Sequence, residues 1–134
     1  MAIIHETKPS KIKKLIETTK NVLVDVYADW CEPCKMLGTM LEKLAGQHDG
    51  KFTVIKVNSD KIDRSSMENT LPFWKDVTRL GGIPVLVFFV DGERVDKYID
   101  NSLEDGEKPL GKGLFYGLPE LQEIEGVLKS LMMI

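Results

Sequence analysis

Apolar positions change period along the chain, and each change marks an element. Residues 22–27, VLVDVY, are nearly all β-branched, aliphatic or aromatic. That is the composition of a strand buried on both faces, interrupted by Asp25 alone. Leu37, Met40, Leu41, Leu44 and Ala45 then recur at i, i+3, i+4, i+7 and i+8, one face of a helix. Ile12, Leu15 and Ile16 follow Pro9 and Ser10 in the same way and predict a helix ending near Thr19. Residues 52–57 alternate as a second strand, and residues 85–90 are continuously apolar. Asp91-Gly92 is a hairpin signal that makes residues 93–99 the return strand. Ile3 and Ile4 fit a short edge strand. Pro72 divides the 61–80 connection into a helix near 62–69 and a second helical piece carrying Phe73, Val77 and Leu80. Residues 101–117 are polar and rich in glycine and read as a loop, its end pinned by Leu114, Phe115 and Tyr116. Pro119 opens a last helix with Leu121, Ile124, Val127, Leu128 and Leu131 at helical spacing.

Strand, helix, strand and then hairpin predict an α/β fold. The expected core is a mixed sheet of four or five strands with helices on both faces. The βαβ start supplies parallel pairing and the hairpin an antiparallel edge. The 134 residues suffice for one domain with one core, expected to span 1–134.

Composition narrows the function classes. Hydrophobic residues make up 43% and charged ones 29%, as in ordinary globular proteins. The net charge of −3 gives no basic footprint for nucleic acid. No apolar run approaches the roughly 20 residues of a membrane span. The N-terminal residues lack an apolar segment behind a basic start, so no secretory signal is read and the cytoplasm is the expected compartment.

The chemistry lies in the two cysteines, Cys31 and Cys34, between the central strand and the helix. Pro33 suits a first helical turn, where a missing N–H costs nothing. Cys31 is therefore expected at the helix start, with Cys34 one turn on and on the same face, so the sulfurs can meet. Unpaired N–H groups and the helix dipole favour a thiolate there, and the thiolate is the attacking species. Cys31 is expected to be the more exposed sulfur and the nucleophile, and Cys34 the group that resolves the mixed disulfide. A disulfide closing so small a loop constrains little, so the pair reads as redox chemistry or metal ligation rather than a staple. C-x-x-C is half of a zinc site. The only histidines are His5 and His48, and His48 lies about 20 Å along the helix from Cys31. No metal is expected unless two copies pool their cysteines.

The run VDVYADWCEPCK, followed by FTVIKVNSD and GGIPVLVFFVDGE, resembles thioredoxin, with three blocks in the right order over residues 22–95. The resemblance implies a thioredoxin fold with insertions near 61–80 and 101–117. It also implies a thiol–disulfide oxidoreductase that reduces protein disulfides through a Cys31/Cys34 cycle. No bound cofactor is implied, because the cysteines carry the electrons. The implied partners are protein disulfides and a thioredoxin-reductase-type donor, and a monomer is expected. Asp25 matches the family's buried aspartate, which exchanges protons with the deeper cysteine. Burial would raise its pKa, whereas a strand-edge position would leave it in solvent. Lys56 matches the lysine that approaches that aspartate; the other reading is an exposed strand lysine. Ile83 and Pro84 match the pair in which a cis proline frees the preceding backbone to hold a substrate strand; the alternative is an ordinary turn. Trp30, Glu32 and Pro33 complete the substrate-contacting set, with simple packing as the other role for Trp30.

Three departures from the family pattern stand out. Glu32 replaces the usual glycine, and its charge opposes a thiolate at Cys31 while suiting a helix N-terminus; Lys35 is placed to offset it. Gly38 and Thr39 stand where many members have a helix-kinking proline, and Gly38 permits a bend. Asp100 and Asn101 stand where a glycine usually follows the last hairpin strand. Phe73 and Trp74 either extend the active-site rim or close a small satellite core. Rival functions are a non-catalytic thioredoxin-like module that binds partners through the insertions, and a disulfide oxidase or isomerase on the same framework.

Overall fold

The central strand forms where its composition requires. β2 (Asn21–Tyr27) has five consecutive buried residues, Val22 to Val26, and is flanked on both edges. On one side it pairs in parallel with β3 (Thr53–Asn58), and β3 in turn pairs in parallel with β1 (Ile3–His5). On the other side it pairs antiparallel with β4 (Val85–Val90). The computed structural model describes residues 3–95, 98–100 and 114–134. Among these, α1 (Pro9–Thr18), α2 (Glu32–Gln47), α3 (Arg64–Thr70), α4 (Trp74–Leu80) and α5 (Leu121–Ser130) cover the sheet. The predicted break at Pro72 separates α3 from α4, and a 3-10 turn at Ser59–Lys61 precedes them. Asp63 caps α3 by accepting the Ser65 and Ser66 N–H groups. Glu120 and Glu123 form a capping box at α5.

The mixed α/β sheet is as expected but wider, since short strands extend it at the β4 edge. β5 (Glu93–Arg94) leaves the Asp91-Gly92 turn, both of whose residues have positive φ, 52° and 84°. That is the conformation in which such a dipeptide twists with its flanking strands. β5 pairs with Phe89 and Val90, and the Val95 N–H donates to the Phe88 carbonyl at 3.1 Å. The predicted return strand over 93–99 does not continue along β4. The remaining length of that edge is filled by β7 (Leu114–Tyr116), with Leu114 opposite Val87 and Tyr116 opposite Val85. β6 (Tyr98–Asp100) lies outside β7, parallel to it. Residues 114–116, read from sequence as the pinned end of a loop, are thus a sheet strand; residues 101–113 of that loop lie outside the described residues. The edge of β4 satisfies its backbone groups with whichever extended segment reaches it, and a three-residue apolar run suffices.

Strand alternation sorts the interior into two layers. Val22, Val24, Val26, Ile55, Val57, Val85, Val87 and Phe89 face α1, α3 and α4. Leu23, Val54, Leu86, Phe88 and Phe115 face α2 and α5, where they meet Leu37, Leu41, Leu44 and Ile124. Burying each such leucine contributes roughly 1.5–3 kcal/mol, enough to fix how α2 lies on the sheet. The same parity turns Asp25 and Lys56 toward α2.

Candidate active site

Cys31 is the N-cap of α2, with extended backbone (φ −91°, ψ 109°). Its Sγ accepts the Cys34 N–H at 3.2 Å, so the sulfur occupies the place where a capping oxygen commonly stands. Pro33 lies within the first two helical positions, where its missing N–H leaves no gap. Cys31 and Cys34 are joined in a disulfide, their Cα atoms 5.2 Å apart. Cys31 is the more exposed of the two, as expected, but only slightly: in the disulfide it is 5% exposed and Cys34 2%. Its sulfur is turned onto the helix start, and Ala28, Tyr27 and Ile83 pack on the pair.

Trp30 is 69% exposed, and its indole N–H donates to Asp60 Oδ2 at 2.8 Å. The ring is therefore held at the surface rather than spent in core packing. Glu32 and Lys35 pair at 2.9 Å, both exposed, so the lysine does sit on the extra carboxylate. Ile83–Pro84 is a cis peptide bond.

Asp25 is fully buried, which removes the strand-edge alternative. Its carboxyl pKa is raised to about 6, first by burial, with the Lys56 charge opposing that rise. Lys56 Nζ lies 3.7 Å from Asp25 Oδ2, beyond hydrogen-bond length, and neither carboxylate oxygen has a hydrogen-bond partner. The lysine thus acts on Asp25 as a nearby charge. It also lies 4.6 Å from the centre of the Tyr27 ring. A Cβ on Gly38 would come within 3.1 Å of Lys56 Nζ. Gly38 therefore accommodates the ammonium against α2, one turn beyond Cys34. Cys34, Gly38 and Lys56 line one open cavity of about 320 Å³ with Tyr27 and Glu42. Lys56 is thus shared between the buried carboxyl of Asp25 and the cavity that Cys34 also lines.

A family model described as Thioredoxin matches residues 3–107. The chain belongs to the thioredoxin family. It is similar to thioredoxin of Mycoplasmoides gallisepticum, 37% identical over 95 residues that cover 71% of this chain and 85% of that protein. Thioredoxin of Staphylococcus epidermidis is 36% identical over 99 residues, covering 74% and 85% respectively. Among solved structures, an N21Q mutant thioredoxin from Halobacterium salinarum NRC-1 superposes with a TM-score of 0.63 at 26% identity, covering 96% of this chain and 89% of that one. With its cysteines at bonding distance, this thioredoxin-family chain is a thiol–disulfide oxidoreductase, a protein-disulfide reductase by family.

The geometry corrects one reading of the thioredoxin pattern. The strand that completes the β4 edge is β7, so the glycine following it is Gly117, not the position of Asp100; Asn101 lies outside the described residues. Gly117 has φ 86° and donates its N–H to the Pro84 carbonyl at 3.0 Å. A Cβ on Gly82 would meet the Tyr116 hydroxyl at 2.7 Å, so any larger residue there would have to displace the end of that ring. Tyr27, Asp60 and Gly117 were given no role at the site from sequence, although Tyr27 and Asp60 both stand in the runs that resemble thioredoxin, VDVYADWCEPCK and FTVIKVNSD. Trp74 is buried in the main apolar core rather than in a satellite cluster, and it also lines a surface cavity with Trp30. Among the described residues no group of three or more His, Cys, Asp and Glu is placed to hold a metal, and no helix is long and apolar enough to cross a membrane.

Proposed function

We propose that Cys31 is the nucleophile and Cys34 the resolving thiol in a cycle that reduces protein disulfides. The Cys31 thiolate attacks a client disulfide, forms a mixed disulfide and releases one client thiolate. Cys34 passes its proton to Asp25 and attacks the Cys31 sulfur. The second client thiolate leaves, and the Cys31–Cys34 disulfide remains. A dithiol donor of the thioredoxin-reductase type returns the two electrons, so the cycle needs no bound cofactor. Lys56 eases the ionisation of Asp25. Trp30, Glu32, Pro33, Ile83 and Pro84 form the surface that meets the client. We read the protein as a monomer of one domain acting in the reducing cytoplasm. The observation that carries the reading is Cys31 capping α2 with its sulfur on the Cys34 N–H.

The test uses a protein disulfide such as insulin with a dithiol donor. Cys31→Ser should abolish turnover. Cys34→Ser should attack once and accumulate mixed disulfides, seen as a mass shift on a non-reducing gel. Equilibration of the Cys31–Cys34 pair with glutathione fixes the direction. A pair more reducing than glutathione supports reduction, and a more oxidising one favours the oxidase reading.

A further inference from the structure

One helix carries charge of the opposite sign to its own chain. Residues 8–20 hold five lysines against one glutamate, a local +4 in a chain of net −3, which leaves −7 for the rest. The apolar side of α1 is turned inward, with Ile12 and Ile16 buried. Lys8, Lys11, Lys13, Lys14 and Lys20 are all exposed. Among the described residues none of the five holds an ion pair. Glu6, just before the helix, instead accepts the Thr7 and Lys8 N–H groups, each at 3.0 Å. Folding gains nothing from this placement. Lys8 is the N-cap of α1 and Lys11 stands in its first turn, which has no acidic residue, while the last turn has no basic one. The helix dipole favours the reverse. Lys8, Lys11 and Lys14 are spaced three apart, so like charges share a face and repel.

The strip begins at the redox end of the molecule. β1, β3 and β2 run parallel, so the end of β1 at His5 lies with the end of β2 that leads to Cys31. His5 lines one cavity with Cys34 and another with Lys61, a further exposed lysine. α1 starts four residues after His5 and extends about 15 Å from there. A strip of that length matches an acidic patch on a globular protein. A nucleic acid or an anionic bilayer would continue past it over the acidic remainder of the chain, and α1 has no apolar face left to enter a bilayer.

We infer that the lysine face of α1 is a docking strip for acidic client proteins, steering the client's disulfide toward Cys31. The inference rests on the oxidoreductase reading above. Two disulfide-linked peptides test it, identical except for a polyglutamate or a polyglutamine tail on a flexible glycine–serine linker. At about 0.01 M salt, where charges act over about 30 Å, the dithiol protein should reduce the polyglutamate peptide roughly tenfold faster. At about 1 M salt the two rates should agree. Lys11→Gln, Lys13→Gln and Lys14→Gln together should bring the polyglutamate peptide down to the polyglutamine rate. Lys43→Gln, Lys51→Gln and Lys129→Gln together give the same net charge and should keep most of the preference. Each comparison is a ratio on one protein, so a general loss of fold or reactivity cancels. Equal rates at low salt, or an equal loss of preference in both variants, would overturn the strip. So would binding of an oligothymidylate or of phosphatidylserine vesicles that only the α1 variant loses, since the strip would then serve a nucleic acid or a membrane. No reduction of either peptide, with both thiols titrating free, would instead overturn the underlying oxidoreductase reading and the docking role with it.

Discussion

The two faces of the sheet are built differently. Under α2 and α5 the packing is leucine and phenylalanine, yet this face also carries Asp25 and Asn58, the buried polar residues among those described. Under α1, α3 and α4 the buried layer is mostly valine and isoleucine with aromatic rings, Met67, Leu71 and Leu114, and no charge. A fully buried carboxylate without a hydrogen bond destabilises the fold. The α2 face carries that cost on the side of the sheet where the helix bearing Cys34 lies, as the proposed proton transfer requires. The apolar face carries no such group, and its outer margin, Trp74 and Val77, lines a surface cavity instead.

Paired truncations set the two faces against each other. Trp74→Ala should lower stability by about 3–5 kcal/mol and Leu41→Ala by about 2–5 kcal/mol, measured by urea unfolding. Trp74→Ala should leave the glutathione equilibrium of the Cys31–Cys34 pair within about twofold of the parent, and a larger shift would show that the apolar face also tunes the sulfurs.

Asp25→Asn comes next in size. The folded carboxyl has its pKa raised to about 6 against an ordinary value of 3.8, so folding disfavours the ionised form. The penalty is full above pH 6, shrinks as pH falls from 6 toward 4, and is absent below. Asp25→Asn should therefore stabilise the oxidised protein at pH 8 by up to about 3 kcal/mol, a gain that fades by pH 4. It should also slow resolution of the mixed disulfide by about 10²-fold at neutral pH. Unchanged stability at pH 8 would mean that the carboxylate is better solvated than its burial indicates.

Lys56→Met gives the subtlest change at this site. Removing the ammonium removes the charge that holds the Asp25 pKa down, so the inflection should move upward from about 6. Carboxyl-region NMR titration would read it; a downward move would contradict the proposed coupling.

Much of this was legible in the chain because it was local. The i, i+3, i+4 repeat through Leu37, Leu41 and Leu44 placed α2, and Pro33 with Cys31 placed its start. Asp91-Gly92 placed the turn. The partner of β4 beyond Phe88 was not legible, because residues 93–99 and 114–116 are both extended-compatible and the choice between them is a long-range pairing. The surface cavity was hidden for the same reason: Trp74 and Trp30 are distant in sequence, and both line it only because of how α4 docks. Ile83 likewise reaches the cysteine pair from far along the chain, beside the neighbouring Tyr27 and Ala28.

The divided edge of β4 has a wider meaning. The chain departs after Val95, bonded to Phe88, and rejoins with Leu114 opposite Val87, the next step on the same track. Residues 96–113 are spliced into what would otherwise be an unbroken hairpin. Such a splice grows at an entropic cost that rises only with the logarithm of its length. Joining Val95 directly to Leu114 should leave reduction of a small disulfide nearly unaltered, with thiol-release kinetics as the check. The break falls at a single step of the β4 ladder, between Phe88 and Val87, and the pairing on either side of it stays in register.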